Sequence, residues 1–452
     1  MRGRPIAAIL SRFAAGLKFL APIEMRVIAI RPPERRFPRS GAAFRLQRTS
    51  AFALCRRDDI LWRPFSEPRT RSITRCSLEV QIATDRRPLV SDPTIDSLEE
   101  MAFRYGRSYD AYLATEPDRQ VFRSHDRRGA VAYVRRGRYL YASGGLLAPP
   151  EAKGPLLEEL VAHADRAGLV PAFFNCHDDE VPLFREHGFQ VTKCGEEALV
   201  DLRVRTWQGK EFEWVRRQSN YCRRQDVRVD ECHERLMPQA RWHALIAELT
   251  AVSAASLATK PQRAEINFLE GRFTPEQMGR RRLFIARAQQ GHGRVEGFLV
   301  CHPCLDGARW VFETYRHRPD AVRGVCAFLM HEAMRTLEAD GARSVSLCLV
   351  PGLRCRQPLA GDSALARWSL IVGTKYFGMI HDTAGMYHFK SRFRPRFENR
   401  YVCVRPRITL AWAWGLVRML GVLRLDPRVV VADSLGRWRK RKTRKTLKAL
   451  TH

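Results

Sequence analysis

Glu313 lies near the end of an apolar run, Arg309–Tyr315, that reads as a central strand. A carboxylate placed there is a candidate acid or base for group transfer; the other reading is a salt bridge to Arg316, three residues on. Lys390 and Arg392 stand in a basic, aromatic-rich stretch, His388–Pro395, which reads as a strand. Cations interleaved with rings suit a nucleic-acid end or a lipid phosphate, although a solvent-facing edge strand shows the same pattern. Arg216, Asn220 and Arg223 fall on one helical face, which either grips phosphates or is simply solvated. Arg318-Pro-Asp-Ala-Val-Arg-Gly324 precedes an apolar helix. A small turn at a helix N-terminus directs backbone N–H groups at an anion, and Arg318 and Arg323 add charge. The loop lacks the full glycine spacing of a coenzyme-A binder, so an ordinary strand-to-helix connection is the alternative. Cys301-His302-Pro303-Cys304 follows the apolar strand Gly297–Val300 and precedes an Asp306-Gly307 turn. With no second Cys/His pair at zinc spacing, it reads as a hairpin end.

The elements that must position these residues repeat. In the first half a helix (Ser97–Tyr105) leads to β-rich runs Gly129–Tyr133 and Arg138–Ser143, the loop Gly144-Gly145, a helix over Pro155–Ala167 and a buried strand Val170–Phe174. A short helix, Glu180–His187, stops at Gly188, and strands Phe189–Lys193 and Ala198–Leu202 follow. In the second half, strands Phe284–Ala288, Gly297–His302 and Arg309–Tyr315 precede the Gly324 loop. A helix with Val325, Phe328, Leu329, Ala333 and Leu337 on one face then stops at Gly341 before the strand Ser344–Leu349. The order strand, strand, Gly loop, helix, Gly turn, strand occurs twice, which predicts two tandem α/β units with central mixed sheets lying close together.

A chain of 452 residues is long enough for two domains and flanking segments. No stretch reaches the roughly 20 uninterrupted apolar residues of a membrane-spanning helix, which excludes a polytopic membrane protein. The net charge of +30 is concentrated at the ends. Residues 1–90 hold 19 Lys+Arg against 7 Asp+Glu, and residues 401–452 hold 13 against 2. Such flanks suit RNA or an anionic lipid surface, or serve solubility alone. Twelve scattered cysteines without a paired framework indicate a reducing compartment. Residues 1–94 read as a basic, largely disordered segment, apart from Ile6, Ile9, Leu10, Phe13, Leu17 and Leu20 on one helical face. Thr409–Leu423 is apolar, with Trp412, Trp414 and one Arg, and reads either as an interfacial helix or as a helix docked on the core. Arg437–Lys448 is a basic cluster. Removing residues 406–452 is expected to weaken binding to anionic vesicles while leaving the folded body intact.

Three ordered blocks resemble the C-terminal domain of phosphatidylglycerol lysyltransferases (aminoacyl-phosphatidylglycerol synthases). They are Gly195–Leu202 followed by Gly209-Lys210 and Arg216–Asn220; Phe312-Glu-Thr-Tyr-Arg316 followed by the Gly324 helix; and His388–Pro395 ending at Arg400-Tyr401. Val181–Phe189 further resembles the late helix of GNAT acyltransferases. Phe397 stands where Trp is common, Thr314-Tyr315 where Leu-Met is usual, and the family's membrane-embedded portion is not in the chain. The resemblance implies tandem GNAT-like domains at 95–205 and 225–405, joined by a basic helix at 206–224 and followed by an amphipathic helix and basic tail at 406–452. It implies an aminoacyltransferase moving an amino acid from aminoacyl-tRNA to a membrane lipid, with no cofactor and no metal, peripheral on the inner face of the cytoplasmic membrane. Glu313 and Arg316 would be catalytic; Arg216, Asn220, Arg223, Arg318, Gly324, Lys390, Arg392 and Arg400 would bind aminoacyl-tRNA or anionic phospholipid. The alternatives are a Fem-like ligase acting on a peptidoglycan precursor, an acyl-CoA N-acyltransferase, and a non-catalytic RNA- or membrane-binding protein of the same fold.

Overall fold

Strands form here where apolar residues alternate or run unbroken, and helices form where apolar residues recur every three or four positions. The computed structural model describes residues 97–203, 206–259, 268, 271–275, 278–289, 293–376 and 383–420, all within the compact unit Arg86–His452. The basic N-terminal segment with its amphipathic face, and the cluster Arg437–Lys448, lie outside the described residues. Helix α1 (Leu98–Tyr105), capped by Ser97, leads to β1 (Gln120–Arg123), β2 (Ala130–Arg136) and β3 (Tyr139–Leu147). Helix α2 (Lys153–Arg166) returns the chain to β4 (Val170–Cys176), and α3 (Val181–Glu186) to β5 (Gln190–Asp201). After α4 (Glu213–Arg224), β6 (Val227–Cys232) and α5 (Gln239–Ala258) come β7 (Arg282–Ala288), β8 (Val295–Cys304) and β9 (Arg309–His317). Helix α6 (Val325–Ala339), β10 (Ser344–Pro351), α7 (Ala364–Tyr376), α8 (Thr383–Ser391), β11 (Arg396–Val404) and α9 (Leu410–Met419) complete the order.

The strands form one mixed sheet in the order β1-β2-β3-β4-β11-β5-β10-β9-β8-β7-β6, so the class is α/β as expected. Among the described residues, the parallel pairs are β3/β4 and β9/β10. These are the pairs joined by α2 and α6, because parallel neighbours require a crossover. Each parallel ladder is short, ending at Ala142/Phe173 and at Val311/Ser346. The repeated strand order is therefore present on both sides, but the closing strands have changed places. β5 pairs with β10 of the other half, β11 pairs with β4, and β5 and β11 pair with each other. Hydrogen bonds thus join into one sheet what the sequence suggested as two neighbouring sheets.

Two local expectations are corrected. Phe189–Lys193 and Ala198–Leu202 belong to one strand, β5, bent where Arg400 and Tyr401 of β11 oppose Gly195 and Lys193. The stretch bearing Lys390 and Arg392 is no strand: Lys390 lies in the last turn of α8 and Arg392 in the turn after it. Phe389 and Phe393 pack on one core cluster from the last turn of α8 and the turn that follows it.

Neighbouring residues on a strand face opposite ways. Ala142, Phe173 and Cys403 pack with Leu156, Leu157 and Leu160 of α2, while Tyr141, Phe174, Val402 and Val404 line the opposite face. Helix α9 covers that opposite face. Trp412 is buried there, stacked on Phe174, and Tyr141 Oη donates to its carbonyl at 3.0 Å. Trp412 and Met419 follow the docked reading of the run, whereas Leu410 and Trp414 remain exposed. Because Trp412 belongs to the core, removing residues 406–452 would disturb the body, contrary to the expectation above. No helix among the described residues is long and apolar enough to cross a membrane.

Candidate active site

Glu313 is the extra residue of a β-bulge. Val300 of β8 faces Thr314 and Cys301 faces Phe312, so Glu313 is skipped in the ladder; bulges re-aim the side chain they displace. Its carboxylate is buried and meets Arg281 Nε at 2.9 Å and His302 Nδ1 at 3.2 Å. Burial alone would raise its pKa, but the charges of Arg281 and His302 prevail and hold it down to about 2. Glu313 is thus ionised at neutral pH and a feeble base. The expected partner Arg316 instead directs Nη1 to the Tyr315 carbonyl at 3.0 Å. Gly271 fits against the carboxylate only as glycine, since a Cβ there would stand 2.3 Å from Glu313 Cγ.

The first half closes over this cluster. Tyr112 stacks on His302 with ring centroids 4.8 Å apart, and the Arg281 guanidinium lies 5.2 Å from the Tyr112 ring centre. Glu116, four residues beyond Tyr112, is also buried. Burial pushes its carboxyl pKa up, and the Glu313 charge adds to this, against Arg272, Arg281 and Arg119. Two carboxyls in one electrostatic neighbourhood are therefore driven apart, the arrangement that separates a proton carrier from a fixed charge. Glu313 Oε1 and His302 Nε2 are buried without hydrogen-bond partners among the described residues. Arg281, His302, Tyr112, Glu116 and Gly271 were missed in the sequence. Of these, His302 lies in the Cys301–Cys304 run, whose thiol spacing gives no sign of the ring's contact with Glu313. Cys301 and Cys304 sit at the β8 end of the β8/β9 hairpin, and burial raises both thiol pKa values.

The other candidates are tied inside the fold. Lys390 Nζ is buried and donates to the Leu349 and Cys348 carbonyls at 2.9 and 3.2 Å, where β10 bulges. Arg400 is fully buried at the centre of the sheet, with Nη2 at 2.6 Å from Glu197 Oε2, whose other oxygen accepts from Ser346. Arg392 pairs with His388 and lies over Trp214. Arg216 donates to the Trp207 carbonyl, while Asn220 and Arg223 come together and Arg223 reaches Glu332 of α6 at 2.7 Å. In the Arg318–Gly324 loop, the Val322 N–H donates to Glu296 Oε2 at 2.9 Å and Arg318 Nε to the Val295 carbonyl at 2.7 Å. Gly324, at φ +87°, starts α6 with Gln218 Oε1 2.4 Å from where a Cβ would stand. Glu296 thus takes one loop N–H that an external anion would otherwise use.

Residues 100–404 match the family described as phosphatidylglycerol lysyltransferase, C-terminal. A phosphatidylglycerol lysyltransferase of Bacillus subtilis (strain 168) is 22% identical over 320 residues, which are 70% of this chain and 36% of that protein. One from Staphylococcus aureus (strain MSSA476) is 25% identical over 350 residues, 73% of this chain and 38% of that protein. The chain thus spans little more than a third of the length of the curated relatives it matches. Among solved structures, L-PGS from Bacillus licheniformis superposes with a TM-score of 0.59 at 19% identity, covering 74% of this chain and 99% of that one. A C-terminal (DUF2156) domain from Agrobacterium fabrum gives 0.58 at 22% identity, covering 71% and 95%. At these identities the likeness of structures establishes the fold.

Proposed function

From the premise that this chain belongs to the phosphatidylglycerol lysyltransferase C-terminal family, we propose that it is an aminoacyltransferase moving an amino acid from aminoacyl-tRNA to a membrane lipid such as phosphatidylglycerol. The observation that carries this reading is the family match over residues 100–404, which encloses the whole Glu313 cluster. In the reaction the lipid hydroxyl attacks the ester carbonyl, an oxyanion forms, and the ribose oxygen leaves with a proton. The enzyme must align two substrates, move that proton and stabilise the oxyanion.

Glu116 is the proposed proton carrier, because burial and the nearby Glu313 charge raise its carboxyl pKa while that of Glu313 is held down. Glu313 stays ionised and orients Arg281 and His302, whose N–H groups are the candidates to face the oxyanion. Lys390 and Arg400 act as positioning residues, fixing β10 and the central strands. Aminoacyl-tRNA and an anionic phospholipid are the partners, met at the inner face of the cytoplasmic membrane. An acyl-CoA donor is disfavoured, since Glu296 already takes a loop N–H where a diphosphate would bind. The test is to incubate the purified protein with labelled aminoacyl-tRNAs and total lipid. Label should enter the organic phase; label passing instead to a peptidoglycan precursor would favour the Fem-like reading, and label in neither would refute transfer.

A further inference from the structure

We propose that the outward faces of α7 and α9 form one surface by which this protein lies on an anionic lipid bilayer. The inference rests on the lipid-acceptor reading and names the face that meets the lipid. Leu365 and Ala366 of α7, and Trp412, Ala413, Leu416 and Met419 of α9, join the same cluster over Tyr141 and Phe174. The two helices therefore cover one face of the sheet, and their outer sides point away from it. On α9 the exposed positions are Leu410, Ala411, Trp414 and Arg418, a single stripe at helical spacing; on α7 they are Ala364, Trp368 and Ser369. Leu410, Trp368 and Trp414 are 66%, 60% and 55% exposed, and these two are the exposed tryptophans among the described residues. Indole rings with an apolar body and one N–H favour the headgroup level of a bilayer.

Charge selects the occupant. Neither helix carries Asp or Glu, Arg407 and Arg418 are exposed beside the stripe, and residues 421–452 hold 10 Lys+Arg against 2 Asp+Glu. Anionic headgroups complement this, whereas a second copy would bring like charges together. An RNA would favour rings alternating with several cations, while the α9 stripe interposes Leu410 and Ala411. Phe268 lies in this aromatic cluster, and Gly271, three residues on in the sequence, stands against Glu313.

The test compares the full chain with Trp368→Ser/Trp414→Ser by co-sedimentation with phosphatidylglycerol and phosphatidylcholine vesicles, beside tRNA binding, oligomeric state and turnover on dispersed short-chain phosphatidylglycerol. Both side chains are exposed, so melting should be unchanged. Binding to phosphatidylglycerol vesicles should fall by about tenfold or more in the variant and weaken in high salt, with turnover on dispersed lipid retained. Equal vesicle binding by both proteins, loss of tRNA binding instead, or dissociation of a dimer would each overturn the proposal. A wild-type protein that aminoacylates dispersed lipid yet ignores vesicles sinks the docking face alone. One that docks through these tryptophans yet transfers nothing to lipid sinks the transferase reading alone.

Discussion

Glu116 and Glu313 differ in what their protons do, and substitution separates them. Glu116→Gln should lower turnover by about 10²–10⁴ with little change in melting, if proton transfer is its role as proposed. The wild-type rate should fall on the acid side, as pH drops through a carboxyl pKa raised above 4.5 by burial and by Glu313; the variant should lack that limb. A kcat–pH profile with full turnover in the variant would reject Glu116. Lys390→Met should behave differently from the loss of a phosphate contact. It leaves the Cys348 and Leu349 carbonyls without their ammonium, so chemical denaturation should show a loss of about 1–3 kcal/mol. A change confined to KM would mean that Lys390 meets substrate after all. At this scale the sequence disclosed the residues that stand in motifs, Glu313, Lys390 and Arg400. It concealed Glu116, Tyr112 and Arg281, which belong to no motif and reach Glu313 only because the first half folds over β9.

Helices α4 and α6 are joined by a neutral histidine, and acid should loosen that joint. His331 is buried, with Nδ1 3.0 Å from Ser219 Oγ and Trp207 edge-on at 4.9 Å. Burial, helped by Arg335 and Arg223, lowers its pKa from 6.5 to about 4. The unfolded chain therefore binds the proton first, and stability present above pH 6.5 is lost as pH falls towards 4. Melting temperature should drop across that window in the wild type, and less in His331→Gln; parallel curves would contradict this. On α9, Trp412→Ala should cost about 3–5 kcal/mol, whereas Trp414→Ala should stay within about 0.5 kcal/mol; equal losses would mean that the exposed ring also packs. Composition identified α9 as apolar but could not say which tryptophan turns inward, since both lie in one short run. Alternating cations and rings suggest a strand over His388–Pro395, and the even spacing of Phe389 and Phe393 fits strand and helix alike, so the pattern could not tell the two apart.

Across the whole molecule, the repeated strand order was legible because each copy is local: two strands, a Gly loop, a helix and a strand. The exchange of β5 and β11 was not, since it pairs residues about two hundred positions apart, such as Gly195 with Arg400. That exchange predicts that the proposed units 95–205 and 225–405 cannot unfold separately, and calorimetry should show one transition rather than two. It also places the first half's Tyr112 and Glu116 over the second half's β9, so the active site needs both halves. The proposed reaction of this assembled site is transfer of an aminoacyl group to lipid. Glu313→Gln would leave Arg281 buried without its counter-charge, so it combines lost stability with lost activity and Glu116→Gln is the cleaner probe. The deciding measurement is the rate at which label from aminoacyl-tRNA enters extracted phosphatidylglycerol, for the wild type and for folded Glu116→Gln. Steady transfer by the first and a loss of about a hundredfold or more in the second are expected; no lipid label from the folded wild type with any charged tRNA would contradict transfer to lipid.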